Sequence, residues 1–247
     1  MSNVTQLNRL IAQILDRQVD LDLVRDYEGQ IRAMIESNLV SWSDADATEE
    51  QIAEAVRQAE IRQARMYCDE LREGRVSDLN LLQAYMSFIL EITQPSLPRV
   101  KWKEIGCTRD NLKALRRTTL VRIAGESFER MLDPRLNETK IRQLVHTISS
   151  VHLSGDEISW TELSDAHGLT SESLDERLKA ALSRLAGQYF HQMLDLKYGR
   201  SSVRELANRI ERLATRDKAP LPGFSLDEVA RRLRSRVETS DSEDPID

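Results

Sequence analysis

Six side chains between positions 152 and 167 are of the types that move protons or hold metals: His152, Asp156, Glu157, Glu162, Asp165 and His167. Brought together, they would furnish a carboxylate–imidazole site for hydrolytic or nuclease chemistry. Their spacing matches no established arrangement. None of the chain's 4 histidines forms an H-E-x-x-H pair or stands with a cysteine at zinc spacing. The six read as a surface turn with solvated acids.

Other catalytic patterns are missing. The stretch SGDEISWTEL resembles the exit of a calcium-binding loop, yet Val151, Leu153 and Gly155 occupy the places of the first oxygen ligands. The 9 glycines are scattered singly, so no loop is built to cradle phosphate, and no G-x-S-x-G elbow is present. The 2 cysteines, Cys68 and Cys107, give neither a disulfide framework nor a zinc set. The expectation is a chain that is not an enzyme and carries no cofactor or metal.

A different chemistry is offered by Arg99-Val100-Lys101-Trp102-Lys103. A Trp between two lysines can stack on a base while its neighbours meet phosphates, or it can close over a core edge. Immediately beyond, Arg109, Lys113, Arg116 and Arg117 fall at i, i+4, i+7 and i+8 of a helix capped by Thr108, a single basic stripe with only Asp110 beside it. Such a stripe can follow a phosphate backbone without reading sequence, or answer acidic surface of its own chain. The candidate binding set for nucleic acid or an acidic partner is therefore Lys101, Trp102, Lys103, Arg109, Lys113, Arg116 and Arg117.

Residues 159–185 have the layout of a helix-turn-helix. Trp160, Leu163 and Ala166 suit a first helix, Gly168 the turn, and Leu174 and Leu178 a second helix. Electrostatics opposes duplex reading, because the second helix opens on Ser171-Glu172-Ser173-Leu174-Asp175-Glu176 and no Lys or Arg occurs in 143–176. The segment reads as a structural or protein-binding winged-helix-like unit, with a long helix to about Lys197 competing against a β-wing.

The elements that would position these groups are helices throughout. Leu7, Leu10, Ile11, Ile14 and Leu15 make one stripe; Val24, Tyr27, Ile31 and Ile35 another, interrupted by Gly29. Thr48-Glu49-Glu50-Gln51 is a capping box for a thin-faced, heavily charged helix running to about Glu73, where Gly74 stops it. The stretch 78–94 is apolar nearly all round and predicts a helix buried at the centre of the fold, capped by Ser77. Ser202-Val203-Arg204-Glu205 and Ser225-Leu226-Asp227-Glu228 predict two further helix starts. The first of these helices bears Arg204, Arg209, Arg212 and Arg216 outward. The last sets Leu226, Val229 and Leu233 opposite Arg231 and Arg232, a candidate partner-binding helix behind the Ala219–Gly223 hinge.

Sparse Gly and Pro (9 and 6 of 247 residues) and 5% aromatics favour helices over a sandwich or barrel. The fold expected is all-α, a multi-helix bundle with a winged-helix-like or helix-turn-helix segment in the C-terminal half. Its parts are an N-terminal helical domain (1–98), a helical domain with the basic stripe (99–218), and a hinged helix with an acidic tail (219–247). The net charge of −6 is segregated: 9 bases face 17 acids in 1–98, 12 face 6 in 99–142, and 10 face 4 in 177–218. No stretch is long and apolar enough for a bilayer, and the polar N-terminus lacks a leader's layout, so the cytoplasm is expected. These features predict a non-catalytic subunit or adaptor of a multi-protein assembly. Its partners would be one or more proteins and DNA or RNA held by backbone contacts, with no membrane. The alternative is a helix-turn-helix transcriptional regulator.

Overall fold

The computed structural model describes residues 2–16, 18–95, 99–153, 158–195 and 197–240, with side chains through 235. The described residues form ten α-helices, two short 3-10 turns and no strand. They fall into two compact units, Met1–Thr119 and Leu120–Asp247. The division lies inside one helix. Of the expected boundary at Pro95-Ser96-Leu97-Pro98, residues 96–98 lie outside the described residues, and the chain on both sides of it belongs to the first unit.

The first unit is built on α1 (Asn3–Leu15), α2 (Leu21–Glu36), α3 (Glu49–Arg72) and α4 (Leu79–Ile92). The stripes on α1 and α2 meet each other and Ile52, Val56 and Ala59 of α3 in one core. Ser2 caps α1, its hydroxyl accepting from the Thr5 N–H at 3.2 Å. At α3 the box closes as the sequence predicts: Gln51 N–H donates to the Thr48 hydroxyl at 3.3 Å, and Thr48 N–H to the Gln51 side chain at 2.9 Å. Gly74 ends this helix with φ of 70°, a left-handed conformation that costs glycine little.

The central rod is α3, not α4. It packs on α1, α2 and α4, and Ala59, Ala64 and Cys68 let those neighbours come close. By contrast, α4 buries Leu82, Tyr85, Met86, Ile89 and Ile92 and leaves its other side to water, with Leu90 42% exposed. Asn80, Gln83, Ser87 and Glu91 recur at steps of three and four, so they form one polar stripe that a count of apolar residues hides. Its cap is Asp78, whose carboxylate accepts from Leu81 N–H at 2.9 Å, rather than Ser77.

A long helix, α5 (Arg109–Arg130), carries the chain across the unit division. The second unit continues with α6 (Glu138–Leu153), α7 (Trp160–His167), α8 (Ser171–Leu194), α9 (Arg200–Thr215) and α10 (Leu226–Ser240). Phe190 and Met193 of α8, Val203, Leu206 and Ile210 of α9, and Val229 of α10 share one core. Helix α9 starts at Arg200, three residues before the Val203 start that the predicted box implies, which leaves that box inside the helix. The Ala219–Gly223 stretch packs rather than swinging free. Ala219 is buried, Leu221 joins the core, and Phe224 stacks on Phe190 with centroids 4.1 Å apart. Gly187 makes room for it, since a Cβ there would stand 3.1 Å from Pro222.

Candidate functional site

The basic residues after position 98 are presented by a segment that the chain's own arginines hold in place. Arg57 Nε donates to the Arg99 carbonyl at 2.9 Å, Arg65 Nε to the Glu104 carbonyl at 2.7 Å, and Arg72 Nη2 to the Gly106 carbonyl at 2.8 Å. These arginines stand two turns apart along α3, one edge of the charged face that the sequence would turn to solvent or to a partner. Arg57 also pairs with the Glu104 carboxylate. The Lys101 main-chain N–H and that guanidinium hold the Glu104 carboxyl below its ordinary value. Arg99 donates to the buried Glu60 carboxylate at 3.0 Å and to Glu91 at 2.8 Å, while Arg25 reaches Glu60 from α2 at 2.9 Å. Segment 99–107 is thus fixed by charge-assisted bonds to main-chain and buried acceptors.

On this scaffold Lys101, Lys103, Arg109 and Lys113 are exposed, and among the described residues none of them is in an ion pair. Trp102 is half-buried in the 3-10 turn Trp102–Glu104, and its carbonyl accepts from Cys107 N–H. Thr108 caps α5, accepting from Asn111 N–H at 3.1 Å. Arg116 is half-buried, and both Arg116 and Arg117 are engaged with other groups. The free part of the expected set is therefore two lysines on the turn plus Arg109 and Lys113 on the first turns of α5.

Cys107 is buried beside Cys68 of α3. Burial, and then the neighbouring Cys107 sulfur, push the Cys68 thiol from 9.0 up to about 12. A thiol neutral in the folded protein and ionised in the unfolded chain leaves stability untouched below pH 9 and erodes it as pH rises from 9 toward 12. Alkaline unfolding monitored by circular dichroism is expected to show this loss, and Cys68→Ala to shift its onset upward. An onset unmoved by Cys68→Ala contradicts the assignment.

In the second unit, Gly168 ends α7 with φ of 63°, and α8 opens on Thr170, whose hydroxyl accepts from Ser173 N–H at 3.0 Å. Glu172, Asp175 and Glu176 at that opening are all exposed, and Asp175 pairs with Lys179. One continuous helix runs from Ser171 to Leu194, with no strand in the described residues that follow. Its later side chains reach back to the end of α5: Arg177 Nη1 donates to the Phe128 carbonyl at 3.0 Å and Arg184 Nη1 to that of Leu132 at 2.6 Å. Of the 152–167 set, Asp156 and Glu157 lie outside the described residues. His152 Nδ1 is 2.9 Å from the Ile158 carbonyl with its ring against Trp160, and the His167 ring lies on Gly125. Among the described residues no three His, Cys, Asp or Glu side chains gather as a metal site.

The basic faces of α9 and α10 are sorted by their partners. Arg209 pairs with Glu205, and Arg212 with Glu138, which Arg142 also meets while bridging to Asp217. Val229 is buried and Leu233 half-buried against α8 and α9, whereas Leu226 (36% exposed), Arg231 and Arg232 remain at the surface. A cleft of about 890 Å³ opens between α9 and α10, lined by Arg200, Ser201, Arg204, Glu205, Asn208, Leu233 and Arg234. In the first unit a groove of about 680 Å³ runs between α1 and α3, with Ile14, Leu15 and Ala55 as its apolar lining and Glu50, Glu54 and Arg62 among its polar lining; Glu54 also pairs with Arg57. No helix among the described residues is long and apolar enough to cross a membrane. No protein-family model, curated protein or solved structure matches the chain.

Proposed function

We propose that this chain is a non-catalytic helical subunit or adaptor of a multi-protein assembly, and that it associates with nucleic acid through the basic face of residues 101–113. The observation that carries the reading is the contrast within segment 99–113. Arg99 is spent on internal carboxylates, while Lys101, Lys103, Arg109 and Lys113 stay exposed and outside any ion pair among the described residues. A rigidly held set of cations meets phosphates without first breaking bonds of its own, and phosphate contact needs no base edges. The non-catalytic part of the reading rests on the motifs absent from the sequence, and the adaptor part on the partly apolar groove of α1 and α3, which suits an amphipathic helix.

Transcriptional regulation through α7 and α8 is the weaker reading, because three exposed carboxylates occupy the end of α8 that would enter a groove. The decisive experiment is fluorescence polarisation of a labelled single-stranded 20-mer across salt. Arg109→Glu with Lys113→Glu is expected to weaken binding about tenfold or more and to flatten the salt slope by about 1.4, at roughly 0.7 per lost phosphate contact. Unchanged affinity and slope would overturn the proposal.

A further inference from the structure

Independently of the nucleic-acid reading, we infer that Cys68 and Cys107 are a site of reversible oxidation, where a peroxide forms a disulfide tying the segment after α4 to α3. Both cysteines are free and buried, with Cys68 0% and Cys107 4% exposed. Arg65, Cys68 and Arg72 fall at i, i+3 and i+7 of α3, along one edge of the helix. The two arginines of that row donate to the Glu104 and Gly106 carbonyls at 2.7 and 2.8 Å, so Cys68, placed between them, faces the chain at 104–107. Cys107 follows Gly106 directly, and its N–H donates to the Trp102 carbonyl at 3.4 Å. Buried under the 3-10 turn, it meets Cys68 on α3. The backbone bonds on either side hold the two thiols together with no rearrangement of the fold.

The order of events follows from burial. Cys68 is wholly enclosed and its thiol stays neutral, so the reaction starts at Cys107, the more accessible of the two. The Cys107 sulfur attacks one peroxide oxygen and the O–O bond breaks. That oxygen stays on sulfur as sulfenic acid, and the other leaves with the thiol hydrogen as water. Cys68 then attacks the oxidised sulfur. The S–O bond breaks, the S–S bond forms, and the hydroxyl departs with the Cys68 hydrogen as a second water. The two sulfurs give up two electrons and the peroxide takes them. The arginine clamps at Glu104 and Gly106 weaken as salt rises, whereas the disulfide does not. Oxidation therefore secures the segment that carries Lys101 and Lys103 under conditions where the clamps alone loosen.

The test exposes the full chain, freed of reductant, to hydrogen peroxide in native buffer, then counts thiols by alkylation in denaturant and maps the peptides. Both thiols are expected to disappear together, with one peptide joining positions 68 and 107 within a single chain. The melting temperature is expected to rise by about 10 °C, and dithiothreitol to restore the thiols and the original melt. Cys68→Ala is expected to stop at a Cys107 sulfenic acid that dimedone traps, with no rise in melting temperature. Two intact thiols in the treated wild type, a cross-link only between chains, or a cross-link formed only in urea would each overturn the site. A cross-linked chain that melts no higher than the reduced one would overturn the tie between segment and helix.

Discussion

Replacing Arg25 and Arg99 together by alanine is expected to cost about 3–5 kcal/mol of unfolding free energy, measured by urea denaturation. Glu60 is 1% exposed in the middle of α3, and both of its cationic partners come from elsewhere in the unit: Arg25 from α2 and Arg99 from the segment after α4. Removing both leaves a carboxylate in the interior with nothing to offset the loss of water. Either single replacement leaves one partner and is expected to cost about 1 kcal/mol, so the two effects are far from additive. The triple change Arg25→Met, Glu60→Leu, Arg99→Met removes the charges together and is expected to recover most of the loss. A double variant within about 1 kcal/mol of wild type would show that Glu60 does not depend on these arginines.

Gly125→Ala is expected to destabilise the protein by about 1–2 kcal/mol, although alanine favours a helix over glycine by about 1 kcal/mol. A Cβ on Gly125 would stand 2.4 Å from His167 Cε1 and 2.5 Å from Cγ, so the whole imidazole must leave its place on α5. Overpacking therefore exceeds the propensity gain. In a His167→Ala background the obstruction is gone, and the same Gly125→Ala change is expected to stabilise by about 0.5–1 kcal/mol. Gly29, inside α2 with nothing within 4 Å of a built Cβ, supplies the control: Gly29→Ala should stabilise outright by about the same amount. Thermal melts of these four variants decide the matter. Equal effects at Gly125 with and without the imidazole would refute the close approach.

Local signals in the sequence located most helices, because caps and apolar stripes act within one or two turns. Thr48, Thr108 and Ser225 all accept from helical N–H groups as their positions imply. The identity of the central helix was not legible from hydrophobicity. Helix α3 takes that place through small residues and a buried, doubly paired Glu60, features that lower its apparent apolar character. Nor could the arginine edge of α3 be read in advance, since its acceptors are carbonyls 34 to 42 residues away. A main-chain acceptor leaves no mark in side-chain identity. The same holds for Arg177 and Arg184, whose acceptors lie 49 and 52 residues back. The exposure of Lys101, Lys103, Arg109 and Lys113 was legible, because an unpaired charge favours water, whereas half-buried Arg116 of the same stripe departs from it.

The measurement closest to the central claim is the salt dependence of wild-type binding to a single-stranded oligonucleotide, from about 50 to 200 mM. Four phosphate contacts through residues 101–113 imply a slope of log affinity on log salt of about −3. That slope, lost in proportion to the cations reversed, is the predicted result. Binding that is undetectable at the lowest salt, or that does not change across the range, would contradict it.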